Sequence, residues 1–127
     1  MIQENNADQV QRIVYPGPGT FPMHLSKDEY PYQHIFERDK FTCQYCGWQG
    51  DASFESWYVA GLCIDHIIPK HAGGTEKDSN LVVSCRPCNE YKGKLVPTSF
   101  EHAKQVVDQK RAEVRAWFRK HVRRDEG

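Results

Sequence analysis

The sequence predicts an α+β fold: a β-hairpin followed by a helix, with paired cysteines at each end of the unit and a long helix behind it. Three observations carry that prediction. Cys43-x-x-Cys46 and Cys85-x-x-Cys88 form two matched pairs. Between them, the apolar runs Leu62–Ile68 and Leu81–Ser84 flank a polar stretch containing Gly73-Gly74, as two strands flank a loop. Beyond residue 98, apolar side chains recur at helical spacing for about 25 residues.

Composition narrows the class. A chain of 127 residues fits one domain that buries roughly two-thirds of its unfolded surface. With 27% charged and 39% hydrophobic residues it reads as globular and soluble. No apolar run is long enough to span a bilayer, and the N-terminus lacks a secretory pattern, so a cytoplasmic location is expected. In that reducing compartment paired cysteines are better read as metal ligands than as disulfides. The formal net charge of zero hides an asymmetry. Residues 1–84 carry six Lys/Arg against eleven Asp/Glu, and residues 85–124 carry eleven against four. A basic C-terminal third is compatible with nucleic acid meeting one face, although basic helices are also often only solvated.

Three regions are expected: an arm over 1–25, a core over 26–97 and an amphipathic basic helix over 98–127. Residues 1–11 are polar with few anchors, and Tyr15-Pro16-Gly17-Pro18-Gly19 suits only a loop or extended arm. A short helix starting at Pro31 would bury Ile35 and Phe36. Phe41–Trp48 reads as a metal knuckle. Gly50–Gly61, with Phe54, Trp57 and Tyr58, is either a loop with aromatic anchors or a partial strand. Pro69 ends the first strand, Pro69–Asn80 is a connecting loop, and Leu81–Ser84 is the returning strand. A helix then opens at Arg86 or Pro87 and stops near Lys92, with Gly93 as its C-cap.

For the last helix, Thr98-x-x-Glu101 has the capping-box pattern. Phe100, Ala103, Val107, Val114, Phe118 and His121 make an apolar face expected to pack on the core. Lys104, Arg111, Arg115, Arg119 and Arg123 fall on a neighbouring face that could serve as a phosphate-binding rail.

Two residues between cysteines let both sulfurs of a turn address one ion, and four thiolates fill a tetrahedral zinc shell, leaving no position to activate water. Cys43, Cys46, Cys85 and Cys88 are therefore expected to hold a structural Zn²⁺. Such a site supplies on the order of 10 kcal/mol of apparent folding free energy. Cys63 has no partner and reads as a small buried hydrophobe.

Chemistry of another kind lies between the pairs: Asp65-His66, Asn80 and Asn89, the last followed by Lys92-Gly93-Lys94. A neutral imidazole can take a proton from water near neutral pH, which suits His66 to general-base work. Asp65 and Asn89 offer a carboxylate and an amide oxygen, hard ligands for Mg²⁺ or Mn²⁺. Phosphodiester hydrolysis needs both functions. One tension is visible: neighbours on a strand face opposite ways. Either the strand is bulged at Asp65-His66 or His66 sits at its end.

The order Asp65-His66, Asn80, Asn89 between paired cysteines resembles the HNH endonuclease family, with asparagine at the third motif position. The resemblance covers about Arg38 to Lys94. It implies a ββα-metal core, in which a hairpin and a helix pinch one divalent ion, and hydrolysis of DNA. It further implies that the metal stabilises the leaving 3′ oxygen and that Asn80 braces the loop orienting His66. Lys92, Lys94, His71, Arg111, Arg115 and Arg119 are candidate contacts to the DNA backbone, although each type is also common on solvated surfaces. Arg86, within the second cysteine pair, could serve either purpose, and Gly73-Gly74 reads as a turn. The alternatives are a non-catalytic, zinc-stapled nucleic-acid-binding module, and an adaptor that uses its last helix to bind a partner. A homodimer, or a larger phage, restriction or repair assembly, is left open.

Overall fold

The structure, a computed structural model, describes residues 31–123. The arm expected over 1–25 lies outside the described residues, as do 26–30 and 124–127. Helix α1 spans Gln33–Arg38 and buries Ile35 and Phe36. It starts after Pro31 because the Tyr32 carbonyl is the first to accept, from the N–H groups of Ile35 and Phe36. Just past the helix, Arg38 and Asp39 form an ion pair at 2.8 Å. Arg38 donates to the carbonyls of Asp78 and Leu81, at 2.9 and 2.6 Å, while Asp39 accepts from the Val83 N–H at 3.0 Å. The contacts at Leu81 and Val83 occupy backbone groups that a two-stranded ribbon leaves open at its edge.

Gly50–Gly61 is neither a loop nor a strand: Phe54–Ala60 is a helix, α2. Ser53 caps it, its hydroxyl accepting from the Ser56 N–H at 3.0 Å. Gly61, at φ +57°, ends it in the left-handed region, where a side chain would also crowd Arg86. Aromatic residues on two sides of this helix mask its period. Trp57 faces inward onto Phe36 and Phe41, at ring distances of 6.5 and 6.2 Å. Phe54 and Tyr58 stack on each other in solvent.

Strands β1, Cys63–His66, and β2, Leu81–Ser84, form one antiparallel hairpin. Its register runs unbroken from Cys63 opposite Ser84 to His66 opposite Leu81. The loop between them contains two short 3₁₀ turns, Lys70–Ala72 and Asp78–Asn80. Gly74 is there for close approach rather than turning alone, since a Cβ would lie 1.6 Å from the Ile68 carbonyl oxygen. Helix α3 spans Arg86–Lys92 with Gly93 after it, as the sequence predicts. The α+β class, the hairpin and the long last helix all match expectation.

Helix α4 spans Phe100–His121, and its cap is Ser99, not Thr98. Ser99 is fully extended, which aims its hydroxyl at the His102 N–H, 3.0 Å away. Thr98 instead donates its own N–H to the His102 ring at 3.0 Å. The helix packs mainly on α3, burying Ala103 and Val107, with Phe100 stacked on Tyr45 at 5.2 Å. Farther along the expected apolar face Val114 is 47% exposed and Phe118 half-buried, and Trp117 beside that face is 58% exposed. No helix among the described residues is long and apolar enough to cross a membrane.

Candidate active site and metal centre

Folding brings the four cysteines together. Their sulfurs all lie within 4.8 Å of one another. Zinc–sulfur bonds of about 2.3 Å in a tetrahedron put ligand sulfurs roughly 3.8 Å apart. Cys46 and Cys85 already stand at 3.7 Å. Backbone groups prepare the knuckle: the Cys46 N–H points at the Cys43 sulfur at 3.4 Å, and Gly47, at φ +82°, closes the turn onto the Cys43 carbonyl. Gln44 N–H donates to the Val83 carbonyl at 2.9 Å, tying the knuckle to β2. Sulfurs this close compete for ionisation. Hydrogen bonds from Cys46, Cys85 and Cys88 hold the Cys43 thiol well below its usual range, whereas contact with Cys43 pushes Cys88 up. The cluster fits zinc in donor type, number and spacing. Cys63 stands apart, buried on β1, and desolvation raises its thiol to about 12.

The hairpin resolves the tension at Asp65-His66. There is no bulge; His66 is the last residue of β1. Burial alternates along the strand, with Asp65 inward and His66 half-buried on the other face. Asp65 is 6% exposed and accepts from the Tyr45 hydroxyl at 2.5 Å and the Lys92 ammonium at 2.9 Å. Lys92 also donates to the His66 carbonyl at 2.8 Å, so one ammonium joins both motif residues to α3. Burial and the Asp65 charge together drive the Tyr45 hydroxyl far above its normal range, so it stays a donor.

Asn89 lies half-buried on α3, one turn before Lys92 and hence on the same side of the helix. Its amide makes no side-chain hydrogen bond among the described residues. Asp65 uses one lone pair on each oxygen and retains another on each. By donor chemistry the pair fits a hard divalent cation, with the Lys92 ammonium as a resident competitor for the same charge.

Asn80 is fully engaged in closing the loop. Its amide oxygen accepts from the Ile68 N–H at 2.9 Å, and its nitrogen donates to the carbonyls of Ile68 and Thr75 at 3.0 and 2.9 Å. The residue after Thr75 is Glu76, which reaches His66: Glu76 Oε2 lies 2.8 Å from His66 Nε2. Lys70 pairs with the same oxygen at 3.0 Å, and the Tyr32 hydroxyl donates to the other at 3.1 Å. Hydrogen bonds from His66 first, then Lys70, pull the Glu76 carboxyl down to about 2.

The candidate DNA contacts separate. Lys92 is not a surface residue: it is 3% exposed, held by its pair with Asp65. Arg111 turns toward the cysteine cluster, with Nη1 3.9 Å from the Cys88 sulfur and Nη2 2.8 Å from Asp108. Its neighbour on the rail, Lys104, donates to the Tyr45 carbonyl at 3.0 Å. The first turns of that ridge thus bind the core, while Arg115 and Arg119 lie on the outer half of α4. His71, in the loop between the strands, and Lys94, just past α3, are both exposed.

Sequence reading missed Glu76 and Tyr45. A tyrosine inside a cysteine knuckle whose ring must be buried needs a partner for its hydroxyl, and that was a usable signal. Loop residues carry no periodicity, so nothing marked Glu76.

Residues 43–95 match the family model described as HNH endonuclease. Searches of curated proteins and of solved structures give no match. The matched stretch starts at the first paired cysteine and ends just past α3, so it contains the cluster, the hairpin and every motif residue named above.

Proposed function

From that HNH match over residues 43–95 we propose that the chain is a metal-dependent endonuclease that hydrolyses DNA phosphodiester bonds, by nicking or double-strand cleavage. The observation that carries the reading is the coincidence of the match with one folded unit in which α3 is locked to the end of β1 through Lys92, at Asp65 and His66. His66 acts as the general base, taking a proton from the attacking water. Asp65 and Asn89 would hold the catalytic Mg²⁺ or Mn²⁺, which supplies charge neutralisation at the phosphate and leaving oxygen. Cys43, Cys46, Cys85 and Cys88 hold a structural Zn²⁺ that keeps the two ends of the unit together. His71, Lys94, Arg115 and Arg119 meet the phosphate backbone, and contacts of that kind position the protein on DNA without reading its sequence.

One observation favours a second reading, a zinc-stapled binding module without catalysis: Lys92 already neutralises the carboxylate that would hold the catalytic ion. The two readings separate in one experiment. Purified protein with Mg²⁺ or Mn²⁺ should relax or linearise supercoiled plasmid, and His66→Ala should lower the rate by at least about 10²-fold while zinc content stays unchanged. DNA retention with no cutting under any divalent ion would establish the binding module instead. Undiminished cutting by the variant would remove His66 from the mechanism.

A further inference from the structure

Three donors converge on one loop carboxylate, and a route of backbone contacts explains why it is there. Asn80 grips Ile68 on one side of the loop and Thr75 on the other, fixing the position from which Glu76 reaches back to the end of β1. Glu76 then meets His66 Nε2 at 2.8 Å, with Lys70 and Tyr32 holding the carboxylate from two further directions. An ionised carboxylate can only accept, so the proton of that hydrogen bond belongs to Nε2. In a neutral ring the other nitrogen, Nδ1, is then the unprotonated one.

We propose, resting on the nuclease reading above, that Glu76 is a positioning residue for His66: it fixes the ring's orientation and tautomer so that Nδ1 is the basic atom, and Asn80 acts on His66 through it. The step then balances as follows. Nδ1 takes a proton from water as the water oxygen bonds to phosphorus. The P–O3′ bond breaks with its electron pair on O3′, which takes a proton from bulk water. The imidazolium formed is stabilised by the Glu76 carboxylate at Nε2, and returns its proton to solvent. A carboxylate at Nε2 holds the ring in place and fixes which nitrogen carries the proton.

Glu76 is half-exposed on a loop, so its replacement leaves the core intact. Glu76→Ala should lower kcat for plasmid cleavage on the order of 10²-fold with KM for DNA within about twofold. Glu76→Asp should recover part of that loss. In the zinc-loaded protein without Mg²⁺ or Mn²⁺, ¹⁵N spectra of the His66 ring should show Nε2 protonated and Nδ1 bare, and Glu76→Ala should give a mixture of tautomers. In a double-mutant cycle, Asn80→Ala should cost little further kcat once Glu76 is already alanine. Unchanged kcat in Glu76→Ala, or an unchanged ring tautomer, overturns the proposal. Full additivity of Asn80 and Glu76 overturns the route between them. A wild-type protein that cuts nothing overturns the nuclease reading and the catalytic half of this one, while the ring spectra still decide whether Glu76 sets the tautomer.

Discussion

Lys92 and Asp65 face each other inside the protein with their charges 2.9 Å apart, and little water reaches either. A buried pair of this kind adds little net stability over well-packed apolar residues, but removing one partner strands the other. Lys92→Met preserves most of the volume and leaves Asp65 with only the Tyr45 hydroxyl. Urea unfolding should then show a loss of about 3 kcal/mol. If Asp65 is a metal ligand, millimolar Mg²⁺ or Mn²⁺ should restore part of that loss, because the ion binds the folded state and replaces the missing charge. A variant as stable as wild type in divalent-free buffer would mean the ion pair is not buried in solution. At the same scale, Arg111 shows how a charge pattern can mislead. Its place on a basic ridge suggested phosphate, yet its guanidinium lies beside Cys88 and pairs with Asp108.

Helices differ in how openly the sequence announces them. In α3, Pro87 near the start and Gly93 past the end punctuate seven residues from both sides, and the element falls where those signals put it. In α4 two hydroxyl residues stand side by side, and only the backbone decides which one caps. Ser99 has the extended conformation that a cap requires. Ser99→Ala should therefore cost about 1 kcal/mol in thermal or urea unfolding, and Thr98→Ala only a few tenths. The reverse order of effects would return the cap to Thr98. Helix α2 escaped notice for a different reason. Its inward contact is one tryptophan and one alanine, and two exposed aromatics on the other side erase the amphipathic contrast.

For the molecule as a whole, the cysteine cluster decides whether these parts form one body. It joins the knuckle after α1 to the start of α3, and Tyr45 inside the knuckle connects that staple to Asp65 and to α4. The described hairpin has only two strands, and such a ribbon is marginal without support. Removing zinc with a strong chelator at neutral pH should abolish the cooperative thermal transition, and returning zinc should restore it. A transition that survives chelation unchanged would mean the thiols do not hold the fold. The charge asymmetry also takes on a shape at this scale. Much of the basic ridge nearest the core is paired with Asp108, Tyr45 and Cys88.

Spacing along the chain was enough to mark both cysteine pairs, the hairpin, α3 and the motif residues Asp65, His66, Asn80 and Asn89. Those features depend on local rules: two residues between thiols, apolar runs bounded by proline and glycine, and caps at helix ends. Contacts made across loops were decided by the folded structure, because loop side chains follow no period and their partners lie ten to forty-four residues away. That is why Glu76 against His66 was invisible in the sequence. It is also why Lys92, which looks like a surface charge at a helix end, is instead buried against Asp65: folding lays α3 on β1, and the ammonium donates to that carboxylate and to the His66 carbonyl.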